Sequence, residues 1–259
     1  MILTRLGNKR QLKNKLKEHF PPHRMRIELF FGAGGSFFYL PIPKFSILND
    51  FDDDVTNLYL VLLNQKDELK RQIELLPISE SLIKYWKKNY ETDPLKKALR
   101  FLLLSNFTYL GKGDTIRLGI CKSKKNLLDR IEPTFEMLSN SKIMSVDFRE
   151  VLQKISFSDS VTPKEDCFVY LDPIYFGTEH WYKVPNWTLK DTEDCFKLMS
   201  ECGIKCAMSE FNTSVILDLA KKYRMNVIPL KNRQNIKNRK QEILITNYSN
   251  QQSSLQFSK

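Results

Sequence analysis

The chain has 259 residues, 42% of them hydrophobic, which is enough to bury a substantial core and suits one large domain carrying an inserted or appended smaller one. Its formal net charge of +11 favours a polyanionic partner such as nucleic acid over a small neutral substrate. Every apolar run falls short of the roughly 20 residues a membrane span needs, and the N-terminus MILTRLGNKRQLKNKL lacks the apolar core of a secretory signal. A soluble, intracellular protein with no membrane association is expected. Five cysteines without a CxxC pair argue against a disulfide framework or a zinc ribbon. Cys195, Cys202 and Cys206 cluster and are expected to fill helix and strand core, while His23 and His180 are too isolated to indicate a metal site.

In chain order, Leu12, Leu16 and Phe20 recur four apart among lysines and predict an amphipathic helix over Asn8 to Phe20. After Pro21 and Pro22, RIELFF reads as a short buried strand that stops at Gly32-Ala33-Gly34-Gly35, a turn expected to lead into a helix. FSILND predicts a second strand ending at Asp50, and Val55, Leu58, Tyr59 and Leu62 predict the helix after it. This order is that of a parallel α/β sheet, so the fold class is α/β and Rossmann-like. From about Gln65 to Asn140 the pattern turns helical, with IKYWKKNY and PLKKALRFLLLSNF, and then basic, with GKGDTIRLGICKSKKN. Residues 65–140 are therefore the candidate second lobe, inserted into a domain made of 1–64 and 141–248. Strand candidates then resume with KIMSV, CFVYL, IKCAMS, MNVIPL and EILITNY, and helices are expected over Leu189 to Glu201, stopped by Gly203, and over Thr213 to Tyr223. The polar tail, residues 249–259, is expected to be disordered.

Glycines directly after a strand let the backbone bend and approach a ligand, and Asp50, about 20 residues on, is placed to accept both hydroxyls of a ribose. A helix cap is the competing role for Asp50. The glycines do not distinguish a nicotinamide cofactor from S-adenosylmethionine. The segment Asp172-Pro173-Ile174-Tyr175, at the end of CFVYL, does. An aromatic amine is a poor nucleophile because its lone pair is delocalised into the ring. Two acceptors, the Asp172 carboxylate and the Pro173 carbonyl, can hold its two hydrogens and return the lone pair to nitrogen, while Tyr175 stacks on the base.

With these motifs in place, the chain resembles the Dam-like DNA adenine-N6 methyltransferases, the D12 or alpha class, over nearly its whole length. The resemblance rests on Leu6-Gly7-Asn8-Lys9, on Glu28 to Gly35, on Asn49-Asp50-Phe51 with Asn57-Leu58-Tyr59, on Asp172 to Tyr175, and on Glu242 to Tyr248. It implies a Rossmann-like S-adenosylmethionine-dependent methyltransferase fold with an inserted, mainly helical DNA-recognition lobe. The reaction implied is methyl transfer to adenine N6 in double-stranded DNA, with the base flipped, in the cytoplasm of a bacterial or phage-infected cell. Cofactor contacts implied by the resemblance are Lys9, Glu28, Phe30, Gly32, Gly34, Asp50, Asp147, Phe148 and Asp172, with Asp172, Pro173 and Tyr175 catalytic. SNFTY, Ser105 to Tyr109, resembles the stretch leading into the recognition region, which puts Asn106 and Tyr109 near DNA; a helix end with Phe107 buried is the alternative.

Two basic segments extend that footprint: Lys112, Arg117, Lys122, Lys124 and Lys125 in the lobe, and Arg233, Lys237 and Arg239 between the final strands. Trp181, Tyr182 and Trp187 either close over a flipped base or anchor a loop. Three positions depart from the family pattern. Ile174 replaces the usual second proline, Arg5 stands where an aromatic is common, and the Val-Pro-Phe-Gly pattern after SNFTY is missing, so recognition of GATC does not follow. A catalytically impaired DNA-binding relative is the alternative reading, a dehydrogenase would leave the Asp-Pro-Ile-Tyr segment unexplained, and an RNA substrate is not discriminated by charge or by an amine grip.

Overall fold

The computed structural model describes residues 1–3, 9–111, 115–116, 123–158, 162–178, 184–234 and 239–249. Outside the described residues lie Arg5, Leu6, Gly7, Asn8, Lys112, Arg117, Lys122, His180, Trp181, Tyr182, Lys237 and the tail beyond 249. The strands are β1 (Met25–Glu28), β2 (Phe45–Asn49), β3 (Ser141–Met144), β4 (Cys167–Leu171), β5 (Lys205–Phe211), β6 (Asn226–Gln234) and β7 (Arg239–Thr246). Among the described residues they make one seven-stranded sheet in the order β3-β2-β1-β4-β5-β7-β6. Strands β1 to β5 are parallel, whereas β7 runs antiparallel to both β5 and β6. Each apolar run that the sequence marks as a strand becomes one, and the expected Rossmann-like order holds.

The strands are apolar on both sides because helices cover both faces. Residues alternate accordingly: Cys167, Val169 and Leu171 of β4 join one core with Phe196, Met199 and Ile216, while Phe168 and Tyr170 point the other way against Leu12 and Leu16. The first core lies under α8 (Leu189–Glu201) and α9 (Ser214–Lys222), and the second under α1 (Lys13–His19), which a short 3-10 turn, Lys9–Leu12, precedes. Caps set several boundaries. Thr188 and Asp191 form a capping box at the start of α8, and Gly203, at φ 70°, lets the chain turn out of it.

Residues 65–140 are helical as expected, in α3 (Lys66–Leu75), α4 (Glu80–Lys88), α5 (Pro94–Phe107) and α6 (Ser123–Leu138), after α2 (Asp53–Asn64). They are not a separately packed body. Leu69, Ile73, Trp86, Leu99, Leu103 and Ile131 share one core with Val55 and Tyr59 of α2, Leu48 of β2 and Phe31 and Phe37 of the glycine turn. The insertion is thus continuous with one face of the sheet. No helix among the described residues is long and apolar enough to cross a membrane.

One expected helix does not form. Between Gly35 and β2 the chain makes a series of turns, with the amide of Gly34 donating to Phe31 O (2.8 Å) and those of Phe37 and Phe38 donating to Gly34 O (3.1 and 2.9 Å). Pro41 and Pro43 follow too soon for a helix to propagate beyond its costly first turn. Phe31, Phe37 and Phe38 instead pack on one another, which fixes the loop by its side chains.

Candidate active site

Beyond β1 the strand order grows outward on both sides, so the carboxyl ends of β1 and β4 flank the switch point where α/β sheets bind ligands. Acidic residues collect there: Glu28 ends β1, Asp50 follows β2, Asp147 follows β3, Asp172 follows β4, and Glu210 lies near the end of β5. Antiparallel β7 brings Glu242 beside Phe211, its register partner. Asn49 ties the first three strand ends together. Its Nδ2 donates to Leu29 O (3.0 Å) and Val146 O (3.1 Å), and its Oδ1 accepts the Val146 amide (3.1 Å).

Asp172 is part-exposed, at 21%. The Lys9 ammonium lies 2.8 Å from Asp172 Oδ1 and 3.7 Å from Glu242 Oε1, and 4.8 Å from the centre of the Tyr175 ring. It is itself only 4% exposed, so a buried cation joins the N-terminal segment to the end of β4 and to Glu242 within β7. The segment after Asp172 is pinned at successive residues. Tyr175 Oη donates to Glu242 Oε1 (3.2 Å), the Phe176 amide to Glu210 Oε1 (2.7 Å), and Thr178 Oγ1 to Tyr175 O (2.7 Å). The Tyr175 ring meets Phe211 edge-on, 4.6 Å between centres. Tyr175 is therefore buried, not laid open for stacking, and burial, with the charges of Asp172 and Glu242, pushes its hydroxyl well above the usual range. Pro173 is buried and Ile174 half-buried.

Glu210, and Glu242 at the start of the last resembling segment, were given no site role by the sequence, yet they hold the loop that carries Asp172. Burial pushes Glu210 up to about 7, against the pull of the Phe176 and Phe211 amides that it accepts, and the charge of Asp172 adds to the rise. Burial likewise pushes Glu28 up to about 7, partly offset by Arg26, whose guanidinium lies 3.7 Å away. Glu28 accepts Ser36 Oγ at 2.7 Å and so anchors the glycine turn, at 1% exposure.

The second half of the site is an open cradle. Asp50 Oδ2 accepts the Gly32 amide (2.6 Å) and Oδ1 the Asp52 amide (2.9 Å), which fixes the carboxylate at the end of β2. The helix-capping role falls to Asp52, which accepts the Asp54 amide. Gly32, at φ 51°, would bring a Cβ near nothing but Asp50 Oδ2, at 4.0 Å, so its surroundings are open. Gly34, at φ 70°, is needed for packing: a Cβ there would fall 2.4 Å from Phe38 and 2.8 Å from Phe31. At the far side Phe30, Phe148 and Trp187 form an aromatic cluster with centres 5.1 to 5.8 Å apart. Trp187 Nε1 donates to Thr192 Oγ1 (2.8 Å), so this tryptophan anchors its loop to α8. Asp147 caps α7 (Phe148–Val151) and meets Arg149 at 3.0 Å. Burial opposes the Arg149 charge, but bonds to Asp191, Asp194 and Asp147 outweigh it and raise the guanidinium above its ordinary value.

Of the expected DNA contacts, Asn106 turns inward. It is buried, and its Nδ2 donates to Ile2 O (3.0 Å) and Leu102 O (3.1 Å), a structural bond that a helix-end residue beside buried Phe107 readily makes. Lys124 Nζ reaches back to Glu74 O and Leu76 O, completing the C-terminus of α3. Tyr109 is 62% exposed, and Lys125 is exposed on the first turn of α6. The backbone places Arg233 opposite Lys240 and Arg239 opposite Gln234 in the β6–β7 ladder.

A mainly parallel sheet with an antiparallel seventh strand between β5 and β6 defines a Rossmann-like methyltransferase fold. The sequence profile of the D12 class N6 adenine-specific DNA methyltransferases matches residues 6–241, and the chain belongs to that family. It is an adenine-specific DNA methyltransferase. The type II methyltransferase M1.LlaDCHI of Lactococcus lactis subsp. cremoris is 26% identical, with 94% of each chain covered. The DNA adenine methylase of Escherichia coli K12 is 25% identical over 65% of this chain and 62% of its own, and that of Serratia marcescens 30% identical over 40% and 41%. A solved putative methyltransferase of Streptococcus mutans, in complex with SAH, is 9% identical at a TM-score of 0.38, covering 91% of this chain and 96% of that one.

Proposed function

We propose that the chain transfers a methyl group from S-adenosylmethionine to N6 of an adenine flipped out of a specific sequence in double-stranded DNA. The observation that carries this reading is Asp172, part-exposed at the end of β4 and held by the buried Lys9. The ion pair requires Asp172 as a carboxylate, an acceptor on both oxygens, which is the form that can take an amine hydrogen. Glu210 and Glu242 fix the loop so that Asp172 and Pro173 meet the amine together.

The cradle fits a nucleoside cofactor. Asp50, fixed by two amides beside the open Gly32, is the ribose acceptor, and Asp147 with Phe148 and Phe30 takes the adenine. When bound, the cofactor supplies an electrophilic methyl group on a sulfonium. Asp172 and the Pro173 carbonyl hold the two hydrogens of N6 so that its lone pair is directed at carbon, and solvent beside Asp172 receives the released proton. Exposed Tyr109 and Lys125, with Lys112, Arg117, Lys122, Arg233, Lys237 and Arg239, supply the DNA contacts. The type II name of the Lactococcus relative favours a restriction-modification role.

Expression of the chain and mass spectrometry of host DNA test this reading. N6-methyladenine above background in the wild type, mapped to one sequence context, is the expected result. Its absence from the wild type and appearance with Ile174→Pro would instead assign a DNA-binding protein with impaired catalysis.

A further inference from the structure

Away from the strand ends just described, Cys202 and Cys206 bring their sulfurs within 3.3 Å of each other. Cys202 follows α8, Gly203 turns the chain at φ 70°, and Cys206 is the second residue of β5, so the pair closes a tight corner at the end of the sheet opposite Asp172. The corner is rigid. Asn247 Oδ1 accepts the Cys206 amide (2.7 Å) and its Nδ2 donates to Met199 O and Ile204 O (both 2.8 Å). Both sulfurs point at the same carbonyl, Ile204 O, at 3.6 and 3.2 Å.

We propose that Cys202 and Cys206 are a dithiol that closes reversibly to a disulfide when the protein meets a hydroperoxide. The two thiols are suited to different parts of the step. Cys202 is part-exposed, and its bond with Cys206, opposed by burial but helped by the Ile204 carbonyl and the Lys164 charge, lowers its thiol to about 7. Lys164 Nζ donates to Cys202 O at 3.0 Å, so that charge is held in place. Cys206 is fully buried and its thiol is pushed well above the usual range by burial, which suits a resolving partner. Of the other described cysteines, Cys167 and Cys195 are buried with raised thiols and stay inert.

In the first step the Cys202 thiolate attacks the peroxide and breaks its O–O bond, giving a sulfenic acid and hydroxide. The Cys206 sulfur then displaces the sulfenic hydroxyl, which leaves as water with the Cys206 proton, and the hydroxide takes up the proton that Cys202 gave to solvent on becoming a thiolate. Two thiols lose two electrons, and one hydrogen peroxide becomes two waters. The covalent bond, about 2.05 Å long, joins the end of α8 to the start of β5.

The full chain is treated with hydrogen peroxide, and its mass, titratable thiols and trypsin digest are followed without reductant. Oxidised wild type loses about 2 Da and two thiols, both restored by dithiothreitol. After cleavage at Lys205 the peptides carrying Cys202 and Cys206 remain joined. Cys206→Ser leaves a sulfenic acid on Cys202 that dimedone labels, whereas Cys202→Ser leaves Cys206 unreacted. Absence of the Cys202–Cys206 cross-link in the wild type, or equal reactivity of wild type and Cys202→Ser, would overturn the proposal. The result is independent of the methyl-transfer assignments, because none of these groups belongs to that site.

Discussion

Replacing Lys9 with methionine removes the buried cation from Asp172, after β4, and Glu242, within β7, while keeping much of the side chain's volume. At 2.8 Å from Asp172 and 3.7 Å from Glu242, an effective dielectric of about 20 gives attractions of about 6 and about 4.5 kcal/mol before the cost of burying the charges. Measured losses on breaking buried pairs put the net effect at about 3–5 kcal/mol. The loss should depend on pH in a defined direction. Glu210, already up at about 7 mainly through burial, has Lys9 among the influences that lower it, so the variant holds its proton to higher pH. Above that range Glu210 adds an ionised carboxylate to a site that has lost its counter-charge, and below it protonation of Glu210 removes that share of the repulsion. Urea unfolding of wild type and Lys9→Met should therefore show a deficit of about 3 kcal/mol or more near pH 8 that shrinks toward pH 5.5. A deficit below about 1 kcal/mol, or one of equal size at both pH values, would refute the electrostatic role of Lys9.

Glu28 and Glu210 make a separate prediction for the wild type: both are raised from about 4.5 to about 7, so the folded state binds protons that the unfolded state has released. Stability should fall as pH rises from about 4.5 through about 7 and then level off, and Glu210→Gln should flatten that slope in urea titrations. Gly34→Ala, with a clash against Phe38 added to its left-handed backbone, should cost about 2–4 kcal/mol by thermal unfolding. Gly32→Ala, strained but not crowded, should cost about 1 kcal/mol while weakening cofactor binding in calorimetry.

Local pattern carried much of this architecture. CFVYL, FSILND and IKCAMS announce their strands because residues buried on both faces leave uninterrupted apolar runs, and Thr188 with Asp191 marks the start of α8. The turn after β1 was misleading: its glycines suggest a following helix, but the phenylalanines pack together and the prolines cut the segment short. Glu210 and Glu242 sit inside strand runs, where nothing local says that one strand folds antiparallel beside the other and points both carboxylates at the loop after Asp172. A charged residue in an otherwise buried strand was the available signal. Asn106 failed for a related reason, since its partner, Ile2 O, is remote in sequence.

The catalytic assignment of Asp172 is tested most directly by single-turnover methylation with Asp172→Asn, which keeps the side chain's size and replaces one acceptor oxygen with a donor group. Mass spectrometry of the DNA should show N6-methyladenine forming about 100- to 10,000-fold more slowly than with wild type, while DNA affinity changes little. Methylation at the wild-type rate by this variant would contradict the account.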